Sequence, residues 1–282
     1  MRNISFARQF VTQALLVVIG VFVALPIWGI ARLAFDGSLR SRPTEFRFFP
    51  KEWSFDAFLQ VLDKPYQSVE FQVLLKNSMT VSIGAALIAI VLGLSLAYAF
   101  ARFRFPGRKT GLFALLLTAV LPPVAFMTPL YIILGLLQIR TSLMALVIVY
   151  SAFAMPFGIW NMRAVFQAIP KELEEAAFLD GAGDFKTFTH ITLPLALPSI
   201  AVTGLIAFLM AYSEFALGWL FVDKADNVTI AMAIYSMTQS GGAQPWSYLG
   251  SLAIIMSIPV IIVFLILQRT LIERMMFGSI DD

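Results

Sequence analysis

The sequence predicts an all-α protein that crosses a membrane six times, and three observations predict it. Of its 282 residues, 59% are hydrophobic and only 13% charged, with a mean hydropathy of +0.84, far from the balance of a soluble domain. The charges cluster so as to leave uncharged runs at residues 9–31, 77–101, 110–139, 141–162, 191–213 and 227–268, and a helix needs about 20 apolar residues to span a hydrocarbon core of about 30 Å. These runs are continuous rather than alternating, which excludes a β-barrel built from strands of about 10 alternating residues.

Taken in order, residues 1–12 form an N-terminal segment and 13–34 the first span. That run is of full span length and no small-residue cleavage site follows Trp28-Gly29-Ile30, so it reads as a retained helix rather than a signal peptide. Residues 35–72 form an external segment, 73–101 the second span, 102–110 a short loop and 111–137 the third span. A turn at 138–141 leads to the fourth span at 142–163, a polar loop at 164–192 and the fifth span at 193–218. The last uncharged run is too long for one span. Gly241-Gly242 and Pro245 divide it, leaving a loop at 219–245, the sixth span at 246–268 and a tail at 269–282. Pro122, Pro123 and Pro129 interrupt the third span and Pro156 the fourth. Broken backbone at membrane depth is tolerated where it faces protein or a water-filled cavity, so these prolines either line a pathway or bend helices for packing. Gly84, Gly93 and Gly204 read as positions of close helix approach.

Orientation follows from the loops. Arg102, Arg104, Arg108 and Lys109 crowd the link between the second and third spans with no acid among them, which places it in the cytoplasm. Counting outward, both termini and the 164–192 loop are then cytoplasmic, and 35–72 and 219–245 are extracytoplasmic. The net charge of +3 is explained by these arginines at an anionic leaflet, and nucleic acid is not a partner the sequence calls for. The absence of cysteine excludes disulfide and thiolate chemistry in this chain.

The 164–192 loop carries the most specific signal. It reads as two short helices on the membrane surface: Pro170 starts the first, Glu172, Glu174 and Glu175 favour its positive N-terminal end, Ala176 and Ala177 supply helix propensity, and Gly181 permits the turn. Asp184 is expected to cap the second, with Pro194 ending it before the fifth span. The spacing Glu175-Ala176-Ala177, three residues, Gly181, nine residues, Ile191, one residue, Leu193-Pro194 resembles the cytoplasmic coupling loop of binding-protein-dependent ABC import permeases. Placement between the fourth and fifth of six spans fits the same family. By this resemblance the ATPase-coupling residues are Glu174, Glu175, Ala176, Ala177, Asp180, Gly181, Ile191, Leu193 and Pro194.

Three further stretches are similar to the carbohydrate importers of the maltose type: the run from Ala97 to Arg108, Ile169 to Ala177 with Asp180-Gly181-Ala182, and Ile258-Pro259-Val260 with Gln268-Arg269. They cover the permease core, 73–269, and point to the shorter, six-helix subunit of a heterodimeric sugar permease with the type I importer fold. The resemblance implies a second, longer permease subunit, two ATP-binding subunits that use ATP and Mg, and an extracytoplasmic solute-binding protein, with no cofactor held by this chain. The cargo it implies is a sugar or oligosaccharide, with a polyol, a glycerol phosphate or an acidic oligosaccharide as alternatives. Two features depart from the family: Tyr212-Ser213-Glu214-Phe215 stands where Trp-Asn-Glu-Phe is common, and the tail from Met275 to Asp282 is not the usual small, glycine-rich ending.

Glu214 is the acid nearest an apolar run, and a carboxylate at bilayer depth costs about 2.5–3.5 kcal/mol, which makes it a pathway candidate. The competing reading is a solvated or paired carboxylate at the outer interface. Tyr150, Ser151, Tyr212 and Ser213 are the other pathway candidates, because hydroxyl-rich solutes need hydrogen bonds and stacking faces. Enzyme readings fare poorly: Pro106-Gly107-Arg108-Lys109-Thr110 lacks the first glycine of a phosphate loop, and the lone His190 lies at a span's edge. A self-contained carrier or channel using Glu214 remains the alternative to the importer.

Overall fold

The computed structural model describes residues 6–39, 43–45, 47–239 and 245–277. Among them there is no β-strand, only isolated bridges pairing Asp36 with Trp53 and Tyr66 with Val69. The helices are α1 (Phe6–Phe35), α2 (Asp56–Asp63), α3 (Phe71–Arg102), α4 (Arg108–Val120), α5 (Met127–Leu136), α6 (Leu143–Ala168), α7 (Glu172–Leu179), α8 (Asp184–Thr187), α9 (Leu193–Ser213), α10 (Ala216–Phe221), α11 (Ile230–Gln239) and α12 (Trp246–Phe277). Five helical stretches are long and apolar enough to cross a membrane: 8–35, α3, α6, 184–213 and 246–268.

The remaining span departs from the expectation of one helix over 111–137. α4 and the helical turn that leads into α5 are bent by 103° at Leu121 and Pro122. Two consecutive prolines remove two backbone donors, and each forces an extended residue before it; Leu121 and Pro122 have ψ near 131° and 138°. Pro129 and Pro156 break nothing, because Pro129 lies in the first turn of α5 and α6 continues through Pro156. The expected fifth span, 193–218, ends instead at Ser213: Glu214 is extended, and α10 starts afresh beyond it. α12 outruns 246–268 by reaching Phe277, and residues 278–282 of the expected tail lie outside the described residues.

The chain divides into two compact units, residues 1–71 with 234–258, and 72–233 with 259–282. In the first, α1 and the start of α12 meet at backbone distance. A Cβ on Gly250 would stand 2.8 Å from the Ala34 nitrogen and 3.2 Å from the Ile30 carbonyl, while Ser251 Oγ donates to the Ala34 carbonyl at 3.2 Å. Small residues at such crossings let dispersion act between whole backbones where lipid offers no hydrophobic drive. The segment after α1 folds back on it: Trp28 Nε1 donates to the Phe48 carbonyl at 2.8 Å, and Phe35 packs on Trp53, Phe55 and Phe58. Asp36 ties the fold-back, accepting from Ser38 Oγ at 2.6 Å and from the Lys51 N–H at 3.1 Å, with Arg32 3.5 Å away.

In the second unit α6 and α9 pack face to face. A Cβ on Gly158 would meet Thr203 Cγ2 at 2.8 Å, and Asn161 Nδ2 donates to Ser199 Oγ and Thr203 Oγ1 at 3.1 and 3.0 Å. At one end, Asn77 donates to the Asp226 and Val228 carbonyls, and Arg140 pairs with Asp223. At the other, Ala97 and Phe100 of α3, Ile159, Met162 and Phe166 of α6, Ile169 just beyond α6, and Ala196 of α9 form a buried cluster, with the tilted rings of Tyr98 and Phe188 at its edge, 4.6 Å apart. That cluster is the floor on which the polar loop rests.

Gly250→Leu is expected to destabilise the protein by about 1–3 kcal/mol through overpacking, read as a lower melting temperature in detergent; an unchanged melting temperature contradicts the close approach. Burial opposes the charge of Asp36, but hydrogen bonds from Ser38 and Lys51 outweigh it and hold the carboxyl below its ordinary 3.8. A carboxyl depressed in the folded state contributes its stability above the unfolded value and loses it as pH falls through the folded one. Hydrogen-exchange protection of the Ser38 and Lys51 amides should therefore be steady above about pH 5 and fall away below about pH 4; Asp36→Asn should lack that acid-dependent step.

Candidate functional site

The loop predicted at 164–192 starts where α6 ends. Ile169, the residue before Pro170, is extended with ψ 123°, as a proline demands of its predecessor, so Pro170 closes α6 rather than opening the next helix. α7 begins at Glu172 with Lys171 at its N-cap, and Glu172, Glu174 and Glu175 occupy its first turn, where carboxylates meet the positive end of the helix. Its C-terminus is a Schellman motif: the Gly181 N–H donates to the Phe178 carbonyl at 3.0 Å and the Ala182 N–H to the Ala177 carbonyl at 2.9 Å. The motif needs a left-handed residue, and Gly181 supplies it with φ +83°.

Two other expectations are corrected here. Asp184 is the first residue of α8, not its cap; Gly183 holds the cap position without a side-chain bond. Nor does Pro194 stop the second helix. α8 runs through a π turn at Phe188–Thr192 directly into α9, giving one helix over 184–213. Pro194 has no N–H to give to a carbonyl four residues back, and the widened turn absorbs the defect: the Leu193 N–H reaches the Phe188 carbonyl, five residues away.

The loop has two faces. Inward, Glu174 is 8% exposed and Ala177 is buried, as are Thr187 and Thr192. Glu174 Oε1 accepts from Arg102 Nε at 3.0 Å and from Thr192 Oγ1 at 2.8 Å, while a terminal nitrogen of Arg102 donates to the Ile169 carbonyl at 3.0 Å. Removing one member of a buried pair leaves the other charged and unpaired, at a cost of about 3–5 kcal/mol. Outward stand Glu175, Ala176, Asp180, Gly181 and Pro194, with Leu179 at 90% exposure and Phe185 at 80%. Ile191 and Leu193 are half-buried. Of the nine expected coupling residues, Glu174 and Ala177 are thus committed to the interior. Sequence reasoning missed Leu179 and Phe185, although large apolar residues within a charged loop were the signal, and it used Arg102 only as an orientation marker.

The pathway candidates are engaged within the chain. Ser151 Oγ donates to the Ile148 carbonyl and Ser213 Oγ to the Leu209 carbonyl, each within its own helix. Tyr212 is buried and stacked on Phe208. The Glu214 carboxylate caps α10, accepting from the Leu217 and Gly218 N–H groups at 2.9 and 3.2 Å. Tyr150, also buried, turns its hydroxyl toward Gly218 and the Glu214 charge without a hydrogen bond of normal geometry. The structure therefore brings Tyr150 and Glu214 together and explains the carboxylate by local capping. Among the described residues no cluster of three or more metal-ligating side chains is assembled.

A helical, multi-pass membrane protein with a structured polar loop between α6 and α9 is the class these features define. Residues 89–277 match the family described as binding-protein-dependent transport system inner membrane component, and the chain belongs to that family. Relatives include the trehalose transport system permease protein SugB of Mycobacterium tuberculosis, 29% identical over 86% of this chain and 89% of that one. Another is the maltodextrin transport system permease protein MdxG of Bacillus subtilis, 25% identical over 98% of this chain and 99% of that one. The fold is shared with a bacterial ABC transporter that imports the acidic polysaccharide alginate, at TM-score 0.74 and 19% identity over 95% of this chain and 99% of that one. The chain is a permease subunit of an ABC importer, in which ATP hydrolysis belongs to a separate subunit.

A β-branched side chain is strained in the left-handed region by about 1–2 kcal/mol. Gly181→Val should accordingly loosen the turn after α7, read as faster proteolysis between Leu179 and Asp184 in the purified protein; parental resistance counts against the Schellman turn.

Proposed function

We propose that this chain is the shorter of two permease subunits of a sugar or oligosaccharide importer and that the outward face of α7 and α8 seats the ATPase. The observation that carries this is the two-faced loop: Glu175, Ala176, Leu179, Asp180 and Phe185 are exposed while Glu174, Ala177 and Thr192 anchor the other side. Exposed apolar side chains rimmed by carboxylates are what a protein partner, not water, is suited to cover. The proposed assembly adds a longer permease subunit, two ATP-binding subunits that hydrolyse ATP with Mg, and an extracytoplasmic solute-binding protein. The basic 102–110 loop, the polar loop and both termini lie on the cytoplasmic side by the excess of arginine there.

Support for the cargo comes from relatives that transport trehalose and maltodextrin. When the ATPase dimer closes on ATP, the two docked loops approach each other and the helices continuous with them change tilt, exchanging outward and inward access. The capping of α10 by Glu214 leaves the self-contained carrier without a free carboxylate at its centre.

Purification of this chain from its native membranes should recover an ATPase, a second permease and a binding protein whose bound ligand is a saccharide. Recovery of the chain alone, transport-competent after reconstitution, contradicts the proposal, and a polyol or glycerol phosphate on the binding protein replaces the cargo. Glu175→Lys should reduce ATPase recovery and uptake roughly tenfold through charge reversal at the docking face, measured against the parental complex at equal membrane abundance.

A further inference from the structure

α7 is only eight residues long, two turns of a helix that is marginal in isolation, so its pose is set by what grips it. One buried pair of charges grips it from several sides. Arg102 is the last residue of α3, and its guanidinium reaches two different elements: Nε donates to Glu174 on α7 and a terminal nitrogen to Ile169, the C-cap of α6. The same Glu174 oxygen takes a second bond from Thr192, the last residue of the π turn that opens α9. Four elements therefore converge on one cation and one carboxylate, whose side chains are 7% and 10% exposed.

We propose that Arg102 is a positioning residue for transport: with Glu174 and Thr192 it forms a strut that makes α7 and the ends of α3, α6 and α9 move as one body. Glu174 is thereby assigned to the permease interior, and its neighbour Glu175 is left, with Asp180, as a carboxylate of the docking face. The charge-assisted, two-pronged geometry is what a planar guanidinium provides and a lysine does not. Displacement of α7 by a docked ATPase passes through Arg102 into α3 and through Thr192 into α9, two stretches long and apolar enough to cross the membrane. Without the strut, α7 can follow the ATPase while the spans lag. The inference rests on the docking role proposed for the exposed face of this loop.

The test uses the complete transporter, reconstituted in lipid with its ATPase and binding protein, and reads solute moved per ATP hydrolysed together with ATPase retention on gel filtration. Arg102→Gln combined with Glu174→Gln removes both charges and leaves no unpaired ion, so the fold is spared the penalty of a single deletion. It is expected to lower the transport ratio about tenfold, the size of a typical coupling free energy between sites. Arg102→Lys keeps the charge with one donor point and should fall between the two. A ratio within twofold of the parent in both variants overturns the proposal. If the neutral pair fails to assemble, the lysine variant alone decides, since a purely structural role requires charge only and predicts the parental ratio. Failure of the parental chain to retain any ATPase strikes the docking role instead, and is read before either variant is made.

Discussion

The ion pair between Arg102 and Glu174 is the interaction on which the rest of the loop depends. Taking two charges out of water is costly and is offset only where every remaining donor and acceptor is met. Here the guanidinium is met by a helix-end carbonyl and the carboxylate by a threonine hydroxyl, so the pair also satisfies a carbonyl that the end of α6 leaves open. Beneath it, the cluster of Phe100, Met162 and Phe166 excludes water and keeps the pair from being screened. Polar bonding and apolar packing thus act at the same spot, and the exposed face of α7 is aimed as a result.

Backbone continuity is the second constraint. In lipid an unsatisfied N–H or C=O costs several kcal/mol, so a proline must be accommodated locally. The chain does this in two ways. At Pro122 and Pro123 the helix is abandoned and redirected; at Pro194 it is widened by one residue and kept. The difference is consequential, because the kept helix is the one that carries the loop. About 30 residues from Asp184 to Ser213 rise about 45 Å as a single rod, more than a bilayer core is thick.

Most of this architecture was legible in the sequence, because continuous apolar runs and charge placement report directly on lipid. The spacing around Glu175 and Gly181 was equally informative, since a left-handed turn after a short helix demands glycine. Helix ends were less legible. Asp184 and Pro194 carry strong local preferences for a cap and a stop, yet the widened turn at Phe188–Thr192 overrides both, and no residue pattern announces a π turn. Which of two adjacent glutamates faces inward was also hidden: Glu174 and Glu175 are chemically alike, and only the partner 72 residues away distinguishes them. Glu214 was ambiguous for a related reason: its proximity to an apolar run fits a pathway carboxylate and equally a capping carboxylate at a helix break, and the capping bonds are what the structure displays.

Leu179 and Phe185 have a consequence for the life of the subunit before it joins anything. They are left almost fully uncovered by the chain on a segment otherwise rich in charge, and such surface is adhesive toward any other exposed apolar group. An orphaned copy of this chain therefore displays its own incompleteness. In the proposed assembly these two side chains form the seat for a partner, and a copy left without one presents the kind of surface that chaperones and proteases recognise.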